Sequence, residues 1–238
     1  MDKGHRVITR IDRPAPQLVA GLAKFEAVDI ADTMKHAGSV FGLRSVFDPP
    51  LPACGPAVTL SVTVPNIDML RVALELCQPG DVLVINARGN TGQAVLGGFM
   101  GHALRNRGVA GVVVDGAVRD PLEFGVVGLP VYARAATSNG AALSASGEIN
   151  VPVACGGAVV NPGDIVVADG TGIAVVPADL AEQVAAAAQA LVDLHETWKP
   201  EVARGEIFGL SGSLERVTGS GCAFDAPLAL VAGGVGNA

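Results

Sequence analysis

Apolar positions along this chain change period again and again, and each change predicts a new element. Short helical stretches are expected over residues 16–25 and 29–36, the second closed by Gly38. After a turn rich in proline (Pro49, Pro50, Pro52), alternation over residues 57–64 predicts a strand. Asn66 then offers the cap of a helix running to Cys77, whose Met69, Val72, Ala73 and Leu76 keep to one face. Residues 82–85 and 112–114 are wholly apolar and bounded by turn residues, which predicts strands buried on both faces. A helix opening at Gly97-Gly98 and closing at Gly108 is expected between them, and a further strand over residues 131–134.

The second half reads differently. Runs at 151–154, 158–160 and 173–176 follow closely enough to pair without intervening helices. Gln78-Pro79-Gly80-Asp81 and Asn161-Pro162-Gly163-Asp164 each precede an apolar run, and Pro-Gly-Asp is read as a tight turn used twice rather than as a repeated domain. From Ala178 or Asp179 a helix is predicted through Leu180, Val184, Ala187, Leu191 and Leu194, which Lys199-Pro200 ends or bends. Residues 135–147 are too rich in Ala, Ser and Gly to assign, and the Gly-rich tail after Ala226 is expected to fray or to lie against a neighbouring chain. Alternating helices and strands predict an α/β layered fold with a strand-rich second half.

Composition narrows the function. Half of the 238 residues are hydrophobic and 16% are charged, so the chain can bury a large core, and disorder is excluded for most of its length. A net charge of −7 without a Lys/Arg cluster disfavours nucleic acid and acidic membrane as partners. No stretch has the length of a membrane span and the start lacks the pattern of a secretion signal, so a cytoplasmic protein is expected. Cys54, Cys77, Cys155 and Cys222 are widely spaced and read as reduced structural thiols. Dinucleotide, nucleotide and serine-hydrolase motifs are absent.

The most informative stretch is Gly97 to Asp120. Its helix opens on Gly97, Gly98, Phe99 and Met100, with no bulky side chain over the free N–H groups of the first two positions, a place where a carboxylate can be held. A strand then ends at Asp115-Gly116, and Arg119 and Asp120 follow, in the region past strand ends where α/β sites gather. A guanidinium can grip the oxygens of a keto acid while the adjacent carboxylate holds a hard divalent ion. The same residues have a plainer reading: Asp120-Pro121-Leu122-Glu123 has the form of a helix start, with Asp as cap, and Arg119 fits a surface salt bridge. His102 reads as a partly buried helical packing residue, whereas Asn86, Arg88 and Asn90, with Arg88 foremost, are placed at a polar loop beside the substrate mouth.

The segment from Gly80 to Val84, the Gly97-Gly98 helix, the run from Gly111 to Asp120, Val151-Pro152-Val153, the run from Asn161 to Gly170 and Gly205-Glu206 resemble the class II pyruvate aldolase and RraA-like family. More narrowly they resemble the 4-hydroxy-4-methyl-2-oxoglutarate and 4-carboxy-4-hydroxy-2-oxoadipate aldolases. The resemblance implies a layered β/β/α sandwich over residues 1–207 with helical extensions at both ends, 208–238 forming the last. It implies a homotrimer or homohexamer with sites between chains. In that reading Asp120 ligates Mg2+ or Mn2+, Arg119 binds the pyruvyl oxygens and stabilises the enolate, and the amides of Phe99 and Met100 hold the substrate carboxylate beside Gly97 and Gly98. Glu196 is the nearest match to a glutamate drawn from the adjacent chain. Where those aldolases carry an acid, this chain has Gly98. The implied reaction is retro-aldol cleavage releasing pyruvate, with oxaloacetate decarboxylation as a side activity. The alternative the resemblance carries is a regulator that docks on a ribonuclease.

Overall fold

Three strand–helix–strand steps, all with their helices on one face, organise the chain. They are seen in a computed structural model that describes residues 5–63, 66–143 and 146–225. Strand β1 (His5–Val7), helices α1 (Pro16–Leu22) and α2 (Ala27–Thr33) and the short β2 (Arg44–Ser45) come first. The steps follow as β3 (Ala53–Ser61), α3 (Ile67–Leu76), β4 (Val82–Leu96), α4 (Gly98–Asn106), β5 (Gly111–Val118), α5 (Pro121–Val127) and β6 (Val131–Ala136). Then come β7 (Gly147–Ile149), β8 (Val153–Cys155), β9 (Ala158–Val160), β10 (Ile165–Asp169) and β11 (Gly172–Val176), and finally α6 (Ala181–Ala203) and α7 (Leu210–Gly219). Strands β3 to β6 are parallel neighbours in a sheet ordered β1-β7-β3-β4-β5-β6-β2, with the antiparallel β10 and β11 joined through β3.

The period of two along the central strands explains the layers. Val58, Leu60, Leu83, Ile85, Val112 and Val114 face α3, α4 and α5, where they meet Leu70, Ala73, Leu104 and Phe124. Ala57, Val82, Val84 and Val113 point the other way, onto Val153, Cys155, Val160, Val166 and Val175 of the strand layer. Both faces of β3–β5 are therefore covered, which is why those strands are continuous apolar runs. This is the β/β/α arrangement. Leu22 and Ile30 of α1 and α2 close the outer side of β10 and β11 with Ala181 and Val184.

The two Pro-Gly-Asp segments form the same turn. Gly80 and Gly163 take φ of +90° and +89°, and each aspartate accepts the N–H three residues back at 2.7 Å, Gln78 to Asp81 and Asn161 to Asp164. Asn66 caps α3 as expected, accepting from the Met69 N–H at 2.9 Å.

Other expectations need correcting. The polar segment Asn86 to Asn90 is not a free loop. It is an excursion within β4, where the register against β5 shifts between Asn86 and Asn90 and again toward Leu96. β3 begins at Ala53, four residues before the alternation suggested, because Ala53–Pro56 pair with β10. Pro200 does not end α6, which continues to Ala203. The tail after Ala226 lies outside the described residues.

The chain divides into two compact units, Met1–Ala188 and Gln189–Ala238. Within the second, Trp198 stacks on Phe208 at 4.6 Å between ring centroids and approaches His195 at 5.1 Å. Among the described residues no helix is long and apolar enough to cross a membrane.

Candidate active site at two strand–helix junctions

Leu96 and Val118, the last residues of β4 and β5, are register partners, so both strands hand over to their helices side by side. β4 enters α4 through Gly97, and β5 enters α5 through Arg119 and Asp120. The Arg119 N–H donates to the Leu96 carbonyl at 2.9 Å and pins the two exits together. Asp120 occupies the cap position of α5, yet its carboxylate does not cap that helix. Its backbone is left-handed (φ +56°, ψ +47°), which turns the side chain back toward α4, where Oδ2 accepts the Gly98 N–H at 3.0 Å. Arg119 Nε lies 3.5 Å from the same oxygen. The plain helix-cap reading of Asp120 is thus replaced by a bridge between two junctions.

Glycines make room for this bridge. A Cβ on Gly97 would lie 2.7 Å from Arg119 Nε and 3.0 Å from Asp120 Oδ2, and one on Gly140 would lie 3.0 Å from an Arg119 terminal nitrogen. At Gly98 it would meet the Glu123 Cγ at 2.9 Å, so Glu123 occupies the space that a side chain at position 98 would need.

Two small hollows flank the exposed Phe99. One, of about 300 Å3, is lined by Arg119 with Arg71, Ile67, Leu96, Met100 and Gly140. The other, of about 310 Å3, is lined by Asp120 with Gly98, Phe99, His102 and Glu123. His102 Nε2 meets Glu123 Oε1 at 2.8 Å, and both side chains are about half exposed. His102 is therefore not a packing residue.

A hollow of about 740 Å3 along residues 40–50 and 169–172 is larger, but its buried polar groups are already used. The Tyr132 hydroxyl donates to the Leu51 carbonyl at 2.7 Å, and Asp169 accepts from Ala27 and Thr171. The smaller pair is where polar groups with unused hydrogen-bonding capacity meet. Arg119 makes no hydrogen bond through its guanidinium among the described residues, and neither does Asp120 through Oδ1.

A divalent ion fits this donor set in one way. No group of three or more His, Cys, Asp or Glu among the described residues is arranged to hold a metal. A half-exposed Asp120 with one free oxygen, beside the Glu123 carboxylate, suits a hard ion that keeps most of its water and takes one or two carboxylates.

The other expected site residues are placed as follows. The Met100 N–H donates to the Gly97 carbonyl at 3.0 Å and the Gly98 N–H to Asp120, so of the three amides only that of Phe99 has no partner among the described residues. Met100 reaches the first hollow with its side chain. Asn86, Arg88 and Asn90 line neither hollow; Asn86 and Asn90 instead accept from the Arg88 and Gly92 N–H groups of their own excursion. Glu196 belongs to the second unit, where its carboxylate pairs with Lys199 at 2.5 Å.

Sequence reasoning missed Arg71, Gly140 and Glu123 as site residues. It also missed the pair of the buried Asp115 with the exposed Arg134, in which Asp115 further accepts the Gly156 N–H at 2.8 Å. The hydrogen bond to Asp115 pushes the Arg134 guanidinium above its usual range. No local pattern announces the meeting of Arg71 and Gly140 with Arg119 or of Arg134 with Asp115, because each partner arrives from another helix, strand or loop.

Fold and junction together define an α/β protein whose polar site is an arginine–aspartate pair at the carboxyl ends of parallel strands. Residues 27–175 match the family model described as RraA-like, Aldolase/RraA, and the chain belongs to that family. A Halalkalibacterium halodurans protein provisionally named a 4-hydroxy-4-methyl-2-oxoglutarate aldolase is 38% identical over 55% of this chain, a match that spans only 62% of that relative. An Arabidopsis thaliana protein with the same provisional activity is 35% identical over 59% of this chain and 81% of its own. Streptomyces coelicolor RraAS2, described as an unusual member of the RNase ES inhibitor RraA protein family, superposes with a TM-score of 0.69 at 32% identity. That structure covers 82% of this chain and 99% of its own.

Proposed function

We propose that this chain is a divalent-metal-dependent aldolase that cleaves a 4-hydroxy-2-oxo dicarboxylic or tricarboxylic acid, of the 4-hydroxy-4-methyl-2-oxoglutarate or 4-carboxy-4-hydroxy-2-oxoadipate type, to release pyruvate. The observation that supports it most is the convergence of Arg119 and Asp120 on the α4 N-terminus with hydrogen-bonding capacity left over on both. Asp120 would hold Mg2+ or Mn2+, and the bound ion would supply Lewis-acid stabilisation of the charge that develops on the keto oxygen. Arg119 offers a planar fork of donors to the same oxo acid, shares the enolate charge and holds its carboxylate in register. The Phe99 N–H, at the positive end of α4, adds a donor to that carboxylate. Gly97 leaves room for Arg119 and Asp120 to meet, and Gly98 leaves room for Glu123. In a homotrimer or homohexamer, Glu196 would enter from a neighbouring copy.

The test is pyruvate release, coupled to lactate dehydrogenase, from 4-hydroxy-4-methyl-2-oxoglutarate, with oxaloacetate as second substrate. Activity should need magnesium or manganese, disappear with EDTA, and fall at least a hundredfold in Arg119→Ala and in Asp120→Ala. Full activity in either folded variant would refute the assigned roles. The similarity to RraAS2 supports a second reading, a regulator that binds a ribonuclease. Tight ribonuclease binding together with no response to metal would favour it.

A further inference from the structure

Four of the ten arginines of the first unit are matched to a carboxylate elsewhere in the fold. Arg6 meets Glu148 at 2.5 Å, Arg13 clasps Asp81 through two bonds at 2.7 and 2.8 Å, Arg107 meets Glu75 at 3.0 Å, and Arg134 pairs with Asp115. Among the described residues Arg10, Arg44, Arg88 and Arg105 make no ion pair, and Arg71 and Arg119 stand apart because they share a hollow. Each has only a near neighbour in the chain, Asp68 at 3.2 Å and Asp120 at 3.5 Å, and both line the same hollow of about 300 Å3. The remaining lining is apolar, Ile67, Val95, Leu96 and Met100 among it, so the hollow itself offers the two half-exposed guanidinium groups no carboxylate. In a chain of net charge −7, two cations brought to one small hollow are a local exception.

Each cation reaches the hollow for a structural reason. Arg71 projects from α3, which is capped by Asn66 and held against the loop after β6 by its first residue, the Ile67 N–H donating to the Ala142 carbonyl at 3.1 Å. That loop is docked in turn on β4, with the Ala94 N–H donating to the Asn139 carbonyl at 2.8 Å, and it sets Gly140 against Arg119.

We infer that Arg71 is a specificity-determining residue: it receives the distal carboxylate of a substrate whose oxo-acid end is held by Arg119, so the site selects dianionic over monoanionic 2-oxo acids. This rests on the aldolase reading of the Arg119–Asp120 site and names the feature of the substrate that the site selects. A round hollow of this volume is about 8 Å across, and the terminal carboxyl carbons of an extended five-carbon diacid lie about 5 Å apart, so one ligand can reach both cations.

The test is calorimetric binding to the full chain with magnesium present, using 2-oxoglutarate and 2-oxopentanoate, which share a five-carbon skeleton and differ at the distal carboxylate. The unsubstituted chain should bind 2-oxoglutarate about tenfold more tightly or better. Arg71→Ala should erase the preference while leaving 2-oxopentanoate binding unchanged, and Arg71→Lys should keep part of it. Thermal melts report whether each variant stays folded, which the exposure of Arg71 favours. An unchanged preference in Arg71→Ala, or equal binding of both acids by the unsubstituted chain, overturns the role of Arg71 and leaves the Arg119 site standing. Binding of neither acid overturns both.

Discussion

Replacing Gly97 by alanine puts one methyl group into the space where Arg119 and Asp120 meet. The backbone there is extended (φ −141°, ψ 178°), so alanine adopts it without strain. The methyl carbon falls 2.7 Å from Arg119 Nε, 2.9 Å from its Cγ and 3.0 Å from Asp120 Oδ2. Ordinary contact begins near 3.4 Å, so the guanidinium must retreat by about 0.7 Å, and a displacement near 1 Å in a positioning group costs on the order of a hundredfold in rate. Stability moves the other way. Loss of glycine's freedom in the unfolded chain contributes about 0.4–1 kcal/mol to the folded state, and the crowded side chains are half exposed and free to swing outward. Gly97→Ala should lower kcat/KM for pyruvate release about a hundredfold while the melting temperature holds or rises by about 2 °C. Coupled pyruvate assays and thermal circular dichroism on the same preparation measure both. Unchanged activity would show that the position of Arg119 is not demanding, and a large drop in melting temperature would show that the side chains cannot yield.

Two further predictions concern parts of the fold away from the site. Asp115→Ala leaves the buried Gly156 N–H without its partner and returns the exposed Arg134 guanidinium to water, which should cost about 2 kcal/mol and lower the melting temperature by roughly 4–8 °C; Asp115→Asn should recover part of this, and a shift below about 2 °C would show the pair to be idle. Burial pushes the Cys54 thiol up to about 11 and those of Cys77 and Cys155 to about 12, so at pH 8 about one Cys54 in a thousand is thiolate, and fewer of the other two. A thiol-reactive chromogen should therefore titrate one equivalent quickly, at the exposed Cys222, and the rest only after unfolding; fast labelling of more than one would contradict this burial.

What was legible in the sequence is what repeats with a short period. Buried strands such as Val82–Ile85 and Val112–Val114 announce themselves because both their faces are covered, and α3 because Asn66 caps it, although the face it buries is Met69, Leu70, Ala73 and Leu74 and the expected Val72 is exposed. Arg119 and Asp120 were legible as a pair because they follow a strand end. What was not legible depends on residues meeting from afar. Arg71 lies off the buried face of α3 and looks like a solvent residue until the loop carrying Gly140 is laid beside it. His102 meets Glu123 from 21 positions away. The Met100 amide looked free because a first-turn N–H has no partner four residues back; the Gly97 carbonyl, three back, captures it instead. The Arg88 segment looked like a loop because only the register against β5 shows it to be part of a strand.

Asp120 shows most sharply where local preference and the site part company. An aspartate before Pro121 and three residues before Glu123 is well placed to cap α5, a role that contributes about 1 kcal/mol. The chain forgoes it. Asp120 takes instead a left-handed backbone, which costs an L-residue roughly 1–2 kcal/mol and an aspartate somewhat less. In exchange its carboxylate gains the Gly98 N–H at 3.0 Å, a charge-assisted bond at the positive end of α4. That bond offsets the strain, but an Asp120 in the extended backbone of an ordinary helix cap would serve stability at least as well. What only the left-handed turn achieves is a carboxylate held 3.5 Å from Arg119 with its second oxygen free, in a hollow that also receives Glu123 and His102. A departure from helix-capping preference that leaves one carboxylate oxygen unbonded among the described residues is what the proposed metal role requires of Asp120.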